Sequence, residues 1–355
     1  MPPVADESFQ SDCPPDGLRD HPVLRLFCLT YNAIFVSLLT GASLPSSHLV
    51  ERRAMEKRSL GRTGLKVGVI GFGTLPIGGF FGPADDAESI RALHAAIDAG
   101  MNFIDTSDAY GLECRSEIVV GRFLKERSDR NDILICTKGG NNMVTGKRDF
   151  SPDCIRGCLE GSLKRLGMEA LDLYMLHNPN MDDLTNERSF DLLDQYKAQG
   201  KIKHWGVSVN TLPECERAIS SGRPTALQME YNVLEQEADE VFAKAKAAGV
   251  GVISRVPLKR GFLSGRFDET YQFAEGDRRS RMLSPENIRK FQARLDRLRE
   301  VAAELGCSPA EVAIRFCISN PNVSTVIPGI RTPEQAKEDA AAWKPLPSEA
   351  LKKLI

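Results

Sequence analysis

The stretch that decides the fold is ILICT (133–137), then SPDCIRGCLEGSLKRLG (151–167), then DLYML (172–176). The first and last runs are short and largely apolar, which is typical of buried strands. The middle segment has apolar residues at helical spacing, begins with Ser and Pro as a capped helix does, and ends at Gly167. The stretch therefore predicts a strand, a helix and a second strand, the repeating unit of an α/β fold.

The same unit repeats through most of the chain. Short β-rich runs occur at 67–72, 102–106, 133–137, 172–176, 203–207, 225–229, 250–254 and 323–327. Most are separated by amphipathic segments of helical period, among them 86–99, 153–166, 187–199 and 236–248. Eight such units in about 290 residues fit the size of a (β/α)8 TIM barrel, which we expect over residues 55–355. A short hairpin from Lys57 to Val67, turning at Gly61–Gly64, is expected to cap the bottom of the barrel.

The sequence Gly71-Phe72-Gly73 directly after the first run raises the alternative of a Rossmann dinucleotide-binding fold. That fingerprint needs a third glycine, but position 76 is Pro. It also needs an acidic residue at the end of a second strand about 20 residues later, and none stands there. The glycine pair is therefore too weak to support a Rossmann fold.

Composition narrows the class of function. The 355 residues carry 46 Lys and Arg against 48 Asp and Glu, so the formal charge of −2 offers no broad basic field for nucleic acid. The nine cysteines include no CxxC pair, which argues against a zinc ribbon or a thioredoxin-like site, and no metal is expected. Unpaired thiols in this number are typical of a reducing compartment, so we expect a cytoplasmic location.

Residues 1–54 differ from the rest of the chain in composition and periodicity, and we treat them as an extension. Residues 1–22 are rich in Pro, Asp and Ser without periodicity, which predicts disorder. The stretch 26–44 (LFCLTYNAIFVSLLTGASL) is uncharged and largely apolar, so an anchor or export signal is an alternative, although the acidic residues before it make a poor signal sequence. A start codon assigned too far upstream of Met55 is a further alternative. No function is based on this extension, and membrane association is not expected.

A barrel of this kind carries its active residues at the carboxyl ends of its strands. The predicted strands end in, or are followed by, polar side chains: Asp105, Lys138, His177, Ser208, Asn210, Gln228 and Arg255. Because buried charges must be paired, we expect these groups to meet at one mouth of the barrel rather than to be scattered through its interior.

At these positions the sequence resembles the aldo-keto reductase family. The matching motifs are IDTSDAYG (104–111), ILICTKGG (133–140), DLYMLHNP (172–179), WGVSVN (205–210), LQMEYN (227–232), VPLKRGFLSG (256–265) and VIPGIRTPEQAKED (326–339). They occur in the family's order and cover about residues 56–345. The resemblance implies a barrel enzyme that transfers hydride between NADP(H) and an aldehyde or ketone, or the corresponding alcohol or aldose.

The resemblance also implies a role for four side chains. Tyr110 would be the general acid, Lys138 would lower the pKa of its phenol, Asp105 would hold the lysine, and His177 would orient the carbonyl. Asp108 competes with Asp105 for the role of the carboxylate, because it stands only two residues before the tyrosine.

A further set of residues resembles the family's cofactor site. Ser208, Asn210 and Gln228 match a clamp for the nicotinamide carboxamide, although Ser-Val-Asn places Asn210 one residue later than in the family. Arg255 stands where many relatives have a stacking aromatic residue, and Asp339 where relatives often have Asn. Arg331 is suited to the 2′-phosphate, which favours NADPH over NADH. The expected loops after the last two strands contribute Leu258, Lys259, Gly329, Arg331 and Gln335, and the resemblance implies that Gln335 and Asp339 lie near the adenine.

Two other functions remain open at this point. The same barrel can serve as a cofactor-binding regulatory or interaction subunit with little turnover, or as a lyase that forms a Schiff base on Lys138. The expected partner is a small carbonyl compound, with no nucleic acid, and the oligomeric state is not predicted. Expected pocket walls are Phe80, Phe81, Leu112, the loop after Lys138 and the long segment 265–284.

Overall fold

The computed structural model describes residues 55–355 except positions 186, 269, 276 and 282. The predictions for residues 1–54, including the apolar stretch 26–44, lie outside the described residues. In the described part of the chain, no helix is both long enough and apolar enough to cross a membrane.

The strands of the described chain form a hairpin and a barrel. Strands β1 (Lys57–Ser59) and β2 (Lys66–Gly68) pair antiparallel as the predicted hairpin. Eight further strands pair in parallel and in chain order: β3 (Phe72–Gly73), β4 (Phe103–Asp105), β5 (Leu134–Gly139), β6 (Leu171–His177), β7 (Ile202–Ser208), β8 (Ala226–Glu230), β9 (Gly251–Arg255) and β10 (Thr325–Ile327). Parallel bridges from Ile70 to Val326 and from Gly73 to Gly329 join the first strand to the last. The predicted (β/α)8 barrel is therefore confirmed.

Helices connect the barrel strands and pack on the outside of the barrel. Those after the first five barrel strands are α1 (Asp86–Asp98), α2 (Arg115–Glu126), α3 (Pro152–Leu166), α4 (Met181–Thr185), α5 (Glu187–Ala198) and α6 (Leu212–Ser220). The later ones are α7 (Asp239–Ala247), α8 (Pro285–Leu305), α9 (Pro309–Ser319), α10 (Pro333–Ala341) and α11 (Ser348–Lys352). The predicted end signals act locally: the Ser151 hydroxyl accepts from the Cys154 N–H at the start of α3, and Gly167 closes that helix with φ = +65°.

The structure divides the first predicted strand, 67–72, between two sheets. Val67 and Gly68 belong to the hairpin, whereas Phe72 lies in the barrel. Val69 is the point of change, because its N–H donates to Glu56 of the hairpin and its carbonyl accepts from Val326 of the barrel. An apolar run alone does not indicate this division, since both halves are buried.

The hairpin closes the amino-terminal end of the barrel. Leu60 is fully buried and joins the interior cluster, and a Cβ on Gly251 would lie 2.6 Å from its side chain. The Arg62 N–H donates to Gly249 at 2.6 Å, and its guanidinium donates to backbone carbonyls next to the starts of β8 and β9. With this end sealed, the opposite end of the barrel carries the cavity.

Candidate active site

A cavity of about 380 Å³ lies at the carboxyl ends of the strands, where the sequence places the functional residues. Of the predicted site residues, Lys138 lies behind the cavity wall and Lys259 lies outside the lining. The others line it: Asp105, Tyr110, His177, Ser208, Asn210, Gln228, Arg255, Leu258, Gly329, Arg331, Gln335 and Asp339.

The innermost group of the site is the ammonium of Lys138, which is fully buried. It donates to the Asp105 carboxylate at 2.6 Å, to the Thr106 carbonyl at 2.8 Å and to the Tyr110 hydroxyl at 3.1 Å. Strands β4 and β5 pair directly, which places these side chains together. The three contacts use all three N–H bonds of the ammonium. The carboxylate at the lysine is thus Asp105, and the side chain of Asp108 bonds elsewhere.

The pKa of Tyr110 responds to two opposing effects. Burial raises the pKa of this phenol, while the neighbouring Lys138 ammonium lowers it, and the result lies above the ordinary value. The effect of Lys138 on this pKa has the expected direction, but burial is the larger effect. Burial also acts to lower the pKa of Lys138, but the Asp105 carboxylate, together with smaller effects of Tyr110 and Cys136, outweighs burial and keeps the amine protonated.

His177, at the end of β6, faces the tyrosine edge-on, with ring centroids 5.6 Å apart. Its Nδ1 lies 3.0 Å from the Ser107 hydroxyl, and its Nε2 bonds no described side chain or backbone group. Burial, and then the charges of Lys138 and Arg255, hold the pKa of His177 well below its usual value. The imidazole is consequently neutral beside a permanent ammonium.

The predicted carboxamide clamp is brought together only in part. The Ser208 hydroxyl donates to the Gln228 side-chain oxygen at 3.2 Å, and the Gln228 amide donates to Asp105 at 2.7 Å. Asn210 lies apart, where its side-chain oxygen accepts from Arg255 at 2.8 Å. Asn178 is a cavity residue that the sequence reasoning missed, and its side-chain oxygen, 3.3 Å from the Ser208 hydroxyl, is an alternative acceptor for the same proton. Its position directly after His177, at a strand end, is the signal that points to it.

Arg255 ends β9 and points into the cavity. Besides Asn210, its guanidinium donates to the Val209 carbonyl at 3.1 Å and lies 3.7 Å from the Glu230 carboxylate. Its Nε is buried and has no hydrogen-bond partner in the described chain. Burial lowers the pKa of Arg255, with Glu230 opposing that effect. A buried N–H without a partner is costly, so this group is suited to an anionic or carbonyl oxygen of a ligand.

The two cationic side chains that the sequence predicts to bind the cofactor phosphates, Arg331 and Lys259, have different surroundings. Arg331 donates to the backbone carbonyls of Phe81 and Pro83, the former at 2.8 Å, so it also holds the loop after β3 at the cavity. Lys259 is bound to Glu230 at 2.7 Å and to Glu235 at 2.8 Å, which turns it away from the cavity. Further arginines that were not predicted as site residues line the wall: Arg260, Arg266, Arg278 and Arg279.

Asp339 is buried in the last turn of helix α10 and lines the cavity. Burial, strengthened by the nearby Glu338 carboxylate, raises the pKa of Asp339 to about 7. In the chain without a ligand this side chain is therefore about half protonated at neutral pH.

From the segment 265–284, an expected pocket wall, the described residues Arg266, Phe267, Arg278 and Arg279 line the cavity. The guanidinium of Arg278 stacks over Phe80 at 4.2 Å from the ring centroid, and that of Arg279 lies 5.1 Å from the ring of Phe81. The Arg278 N–H also donates to the Phe80 carbonyl at 3.2 Å. Leu112, another expected wall residue, is 74% exposed and lies outside the cavity lining.

Comparisons with known proteins agree with this geometry. The model of the family described as "Aldo/keto reductase family" matches residues 69–354. Over 299 residues, 81% of this chain and 87% of the relative, the sequence is 28% identical to aldo-keto reductase yakc (NADP(+)) of Schizosaccharomyces pombe. Two solved structures are also similar, each 28% identical over 84% of this chain. They are aldo-keto reductase AKR11C1 from Bacillus halodurans in its holo form (TM-score 0.71, 95% of that chain) and the glycerol dehydrogenase AKR11B4 from Gluconobacter oxydans (TM-score 0.72, 94% of that chain).

Proposed function

This chain belongs to the aldo/keto reductase family, whose members are NADP-dependent oxidoreductases, and we propose that it reduces aldehydes or ketones with NADPH, or oxidises the corresponding alcohols or aldoses with NADP+. The observation that carries the proposal is the position of the Tyr110 hydroxyl, which is in the cavity lining and is bonded to a buried ammonium.

The cavity suits a dinucleotide phosphate. Its lining contains six arginines against three carboxylates, and one of those carboxylates, Asp105, is already neutralised by Lys138. The unpartnered Nε of Arg255 needs an acceptor, and the capped amino terminus of α10 directs backbone N–H groups toward the loop of Gly329 and Arg331. These features support NADP(H), and Arg331 supports a preference for NADPH over NADH.

The chain's own residues supply the proton and the orientation for carbonyl reduction. Bound NADPH supplies the hydride to the carbonyl carbon. Tyr110 donates its hydroxyl proton to the carbonyl oxygen, and the resulting phenolate is stabilised by the Lys138 ammonium at 3.1 Å. His177 is neutral, so its Nε2–H tautomer can donate a hydrogen bond that orients the same oxygen. In the reverse direction each of these proton movements is reversed.

The bonding of Lys138 argues against the lyase alternative. A Schiff base needs an unprotonated amine with a free lone pair. Here the amine is charged, its pKa is raised above the ordinary value by Asp105, and all of its N–H bonds are directed at oxygen atoms. This arrangement supports a fixed cation beside the tyrosine.

The substrates that we propose are a broad class of carbonyl compounds and the corresponding alcohols. The glycerol dehydrogenase relative makes polyols and short hydroxy-aldehydes a sensible first panel, together with aldoses and aromatic aldehydes. Phe80 and Phe81 give the inner wall an aromatic surface, which supports carbonyl compounds with an apolar portion. We also propose a cytoplasmic location, which the free thiols of the described chain support.

Turnover of this panel with NADPH and NADH, followed by NADPH absorbance, tests the proposal. Tyr110→Phe removes the proton donor and keeps the ring, so we expect kcat to fall at least about 100-fold while NADPH still binds. Tyr196→Phe is a matched control, since this tyrosine bonds Glu160 outside the cavity. Parental rates in Tyr110→Phe would overturn its role as the acid. Tight NADPH binding without turnover of any carbonyl compound would instead favour a cofactor-binding regulatory subunit.

A further inference from the structure

Behind His177 lies a chain of hydrogen-bonding groups that the reduction chemistry does not use. The Ser107 hydroxyl lies 3.0 Å from His177 Nδ1 and 3.3 Å from the Asp108 carboxyl oxygen. The Ser107 hydroxyl oxygen also accepts the Ala109 N–H at 3.1 Å and lies 3.2 Å from the Lys138 carbonyl. Ser107 is fully buried, so no solvent molecule replaces these partners.

One hydroxyl carries only one proton, so Ser107 must choose between its acceptors. One lone pair is taken by the Ala109 N–H. If Ser107 donates to Asp108, its remaining lone pair accepts a proton from His177, which must then carry hydrogen on Nδ1. If Ser107 instead donates to His177, the ring must carry its hydrogen on Nε2, the nitrogen left for the cavity.

The protonation of Asp108 decides between these two arrangements. An ionised carboxylate accepts the Ser107 proton, because charge-assisted hydrogen bonds are the stronger ones. A protonated carboxyl can donate to Ser107, whose own proton then turns to His177. The Lys138 carbonyl, 3.2 Å from the Ser107 hydroxyl, is a neutral acceptor that also accepts the Asp108 N–H, so it is a weaker acceptor for the Ser107 proton than an ionised carboxylate. In both arrangements the Ser107 hydroxyl donates one hydrogen bond and accepts two, and the arrangements differ by one proton on Asp108.

We propose that Ser107 and Asp108 are positioning residues that set which ring nitrogen of His177 carries the proton, and so whether the imidazole donates to a carbonyl oxygen or accepts from an alcohol. With Asp108 protonated, Nε2–H favours carbonyl reduction. With Asp108 ionised, the free lone pair on Nε2 favours alcohol oxidation. The effect on turnover rests on the proposed function, but the tautomer does not.

The surroundings of Asp108 bring the pKa of its carboxyl group close to neutral pH. Burial raises the pKa of Asp108 to about 6, opposed mainly by a hydrogen bond from the Cys158 thiol. Tyr174 on β6 is buried beside it without a hydrogen-bond partner in the described chain. The ionisable groups that face Asp108 come from α2, α3, β6 and the preceding loop: Glu117, Cys154, Cys158, Arg165, Tyr174 and Cys114. Glu117 and Arg165 form an ion pair at 2.6 Å, so their effects on Asp108 largely oppose each other.

The direct test is the nitrogen NMR spectrum of ¹⁵N-labelled histidine in the full chain, without substrate. The His177 signal is assigned by its loss in His177→Gln. We expect Nε2–H at about pH 5 and Nδ1–H at about pH 8, with the ring neutral throughout because its pKa is well below 6.5. Asp108→Asn, whose amide can donate to Ser107 at every pH, should keep Nε2–H over the whole range. Asp149→Asn is the control, because Asp149 bonds Ser151 outside the cavity.

Turnover provides the second readout. In the parent, kcat for carbonyl reduction should fall and kcat for alcohol oxidation should rise, each by about 10-fold, between about pH 5 and pH 8. In Asp108→Asn both profiles should flatten over this range. If Asp108→Asn does not fold, Ser107→Ala replaces it, since loss of the hydroxyl should also make the tautomer independent of pH.

One tautomer at both ends of the pH range in the parent, or a parental pH response in Asp108→Asn, would overturn the inference. If the parent reduces carbonyl compounds and the variant keeps the parental pH profile, the inference fails while the proposed function stands. If no carbonyl compound is turned over, the proposed function fails and the NMR series alone decides the inference.

Discussion

Replacing Lys138 with Met should separate the stability of the barrel from its chemistry. Methionine keeps an unbranched side chain of similar length but removes the charge. The ammonium lies 2.6 Å from Asp105, and the side chains of Lys138 and Asp105 are 0% and 2% exposed. Removing one member of such a pair leaves a buried charge without compensation, which costs about 3–5 kcal/mol. Because Gln228 still donates to Asp105 at 2.7 Å, we expect a loss near the lower end, about 3 kcal/mol.

The loss of turnover in Lys138→Met has a different origin. The ammonium donates to the Tyr110 hydroxyl at 3.1 Å and opposes the effect of burial on the pKa of that phenol. A hydrogen bond to a charged group is worth about 1.5–3 kcal/mol, and this one strengthens as the phenolate forms. We therefore expect kcat to fall about 10- to 100-fold.

The assay pairs urea unfolding, followed by circular dichroism, with NADPH turnover. The double variant Asp105→Asn/Lys138→Met removes both charges and should regain at least about half of the lost stability, but none of the turnover. Lys203→Met is the control, because Lys203 forms a similar 2.7 Å pair with Asp172 but is 57% exposed. It should cost at most about 1 kcal/mol and leave kcat unchanged. Parental stability in Lys138→Met, or recovered turnover in the double variant, would refute the reasoning.

Two further substitutions address the cofactor end of the cavity. Burial raises the pKa of Asp339 from 3.8 to about 7, so the folded chain keeps a proton that the unfolded chain releases, and stability falls as pH rises from the lower value to the higher one. Asp339→Asn should match the parent near pH 4 and be more stable above neutrality by up to about 4 kcal/mol in urea unfolding; equal stability at both pH values would contradict this. Arg331→Ala should raise KM for NADPH about 10-fold and leave KM for NADH nearly unchanged in initial-rate measurements. Equal increases for both cofactors would restrict Arg331 to holding the loop of Phe81 and Pro83.

The sequence predicts the fold well because its evidence is local and repeated. The strand and helix signals around ILICT and DLYML depend on residue spacing, capping hydroxyls and glycine stops, and these act within a few residues. The first barrel strand is the exception. Val67 and Phe72 look alike as buried apolar residues, and only the pairing of Val69 with both Glu56 and Val326 separates hairpin from barrel.

The candidate site is predicted less evenly, for a physical reason. Strand register brings Asp105, Lys138 and His177 to the mouth, so the barrel rule alone places them there. Side-chain direction in the loops follows no such rule: Lys259 has the expected position in the sequence but turns to Glu230 and Glu235. The pKa of Tyr110 likewise could not be predicted from the sequence, because it depends on how far the effect of burial exceeds the effect of the neighbouring Lys138 charge.

The position of the two carboxylates explains how an ammonium and a neutral imidazole lie on either side of one phenol. Both Lys138 and His177 are buried, and burial by itself lowers the pKa of each. Lys138 stays charged because Asp105 contacts it directly. His177 loses its charge because no carboxylate contacts it, and the Lys138 charge adds to the effect of burial. Asp108 is close enough to compensate the histidine but reaches it only through Ser107. Because the group between them is an uncharged hydroxyl, a change in the protonation of Asp108 can reverse the direction of the hydrogen bond to His177 without placing a charge against the ring. The imidazole can therefore change its donor nitrogen and remain neutral.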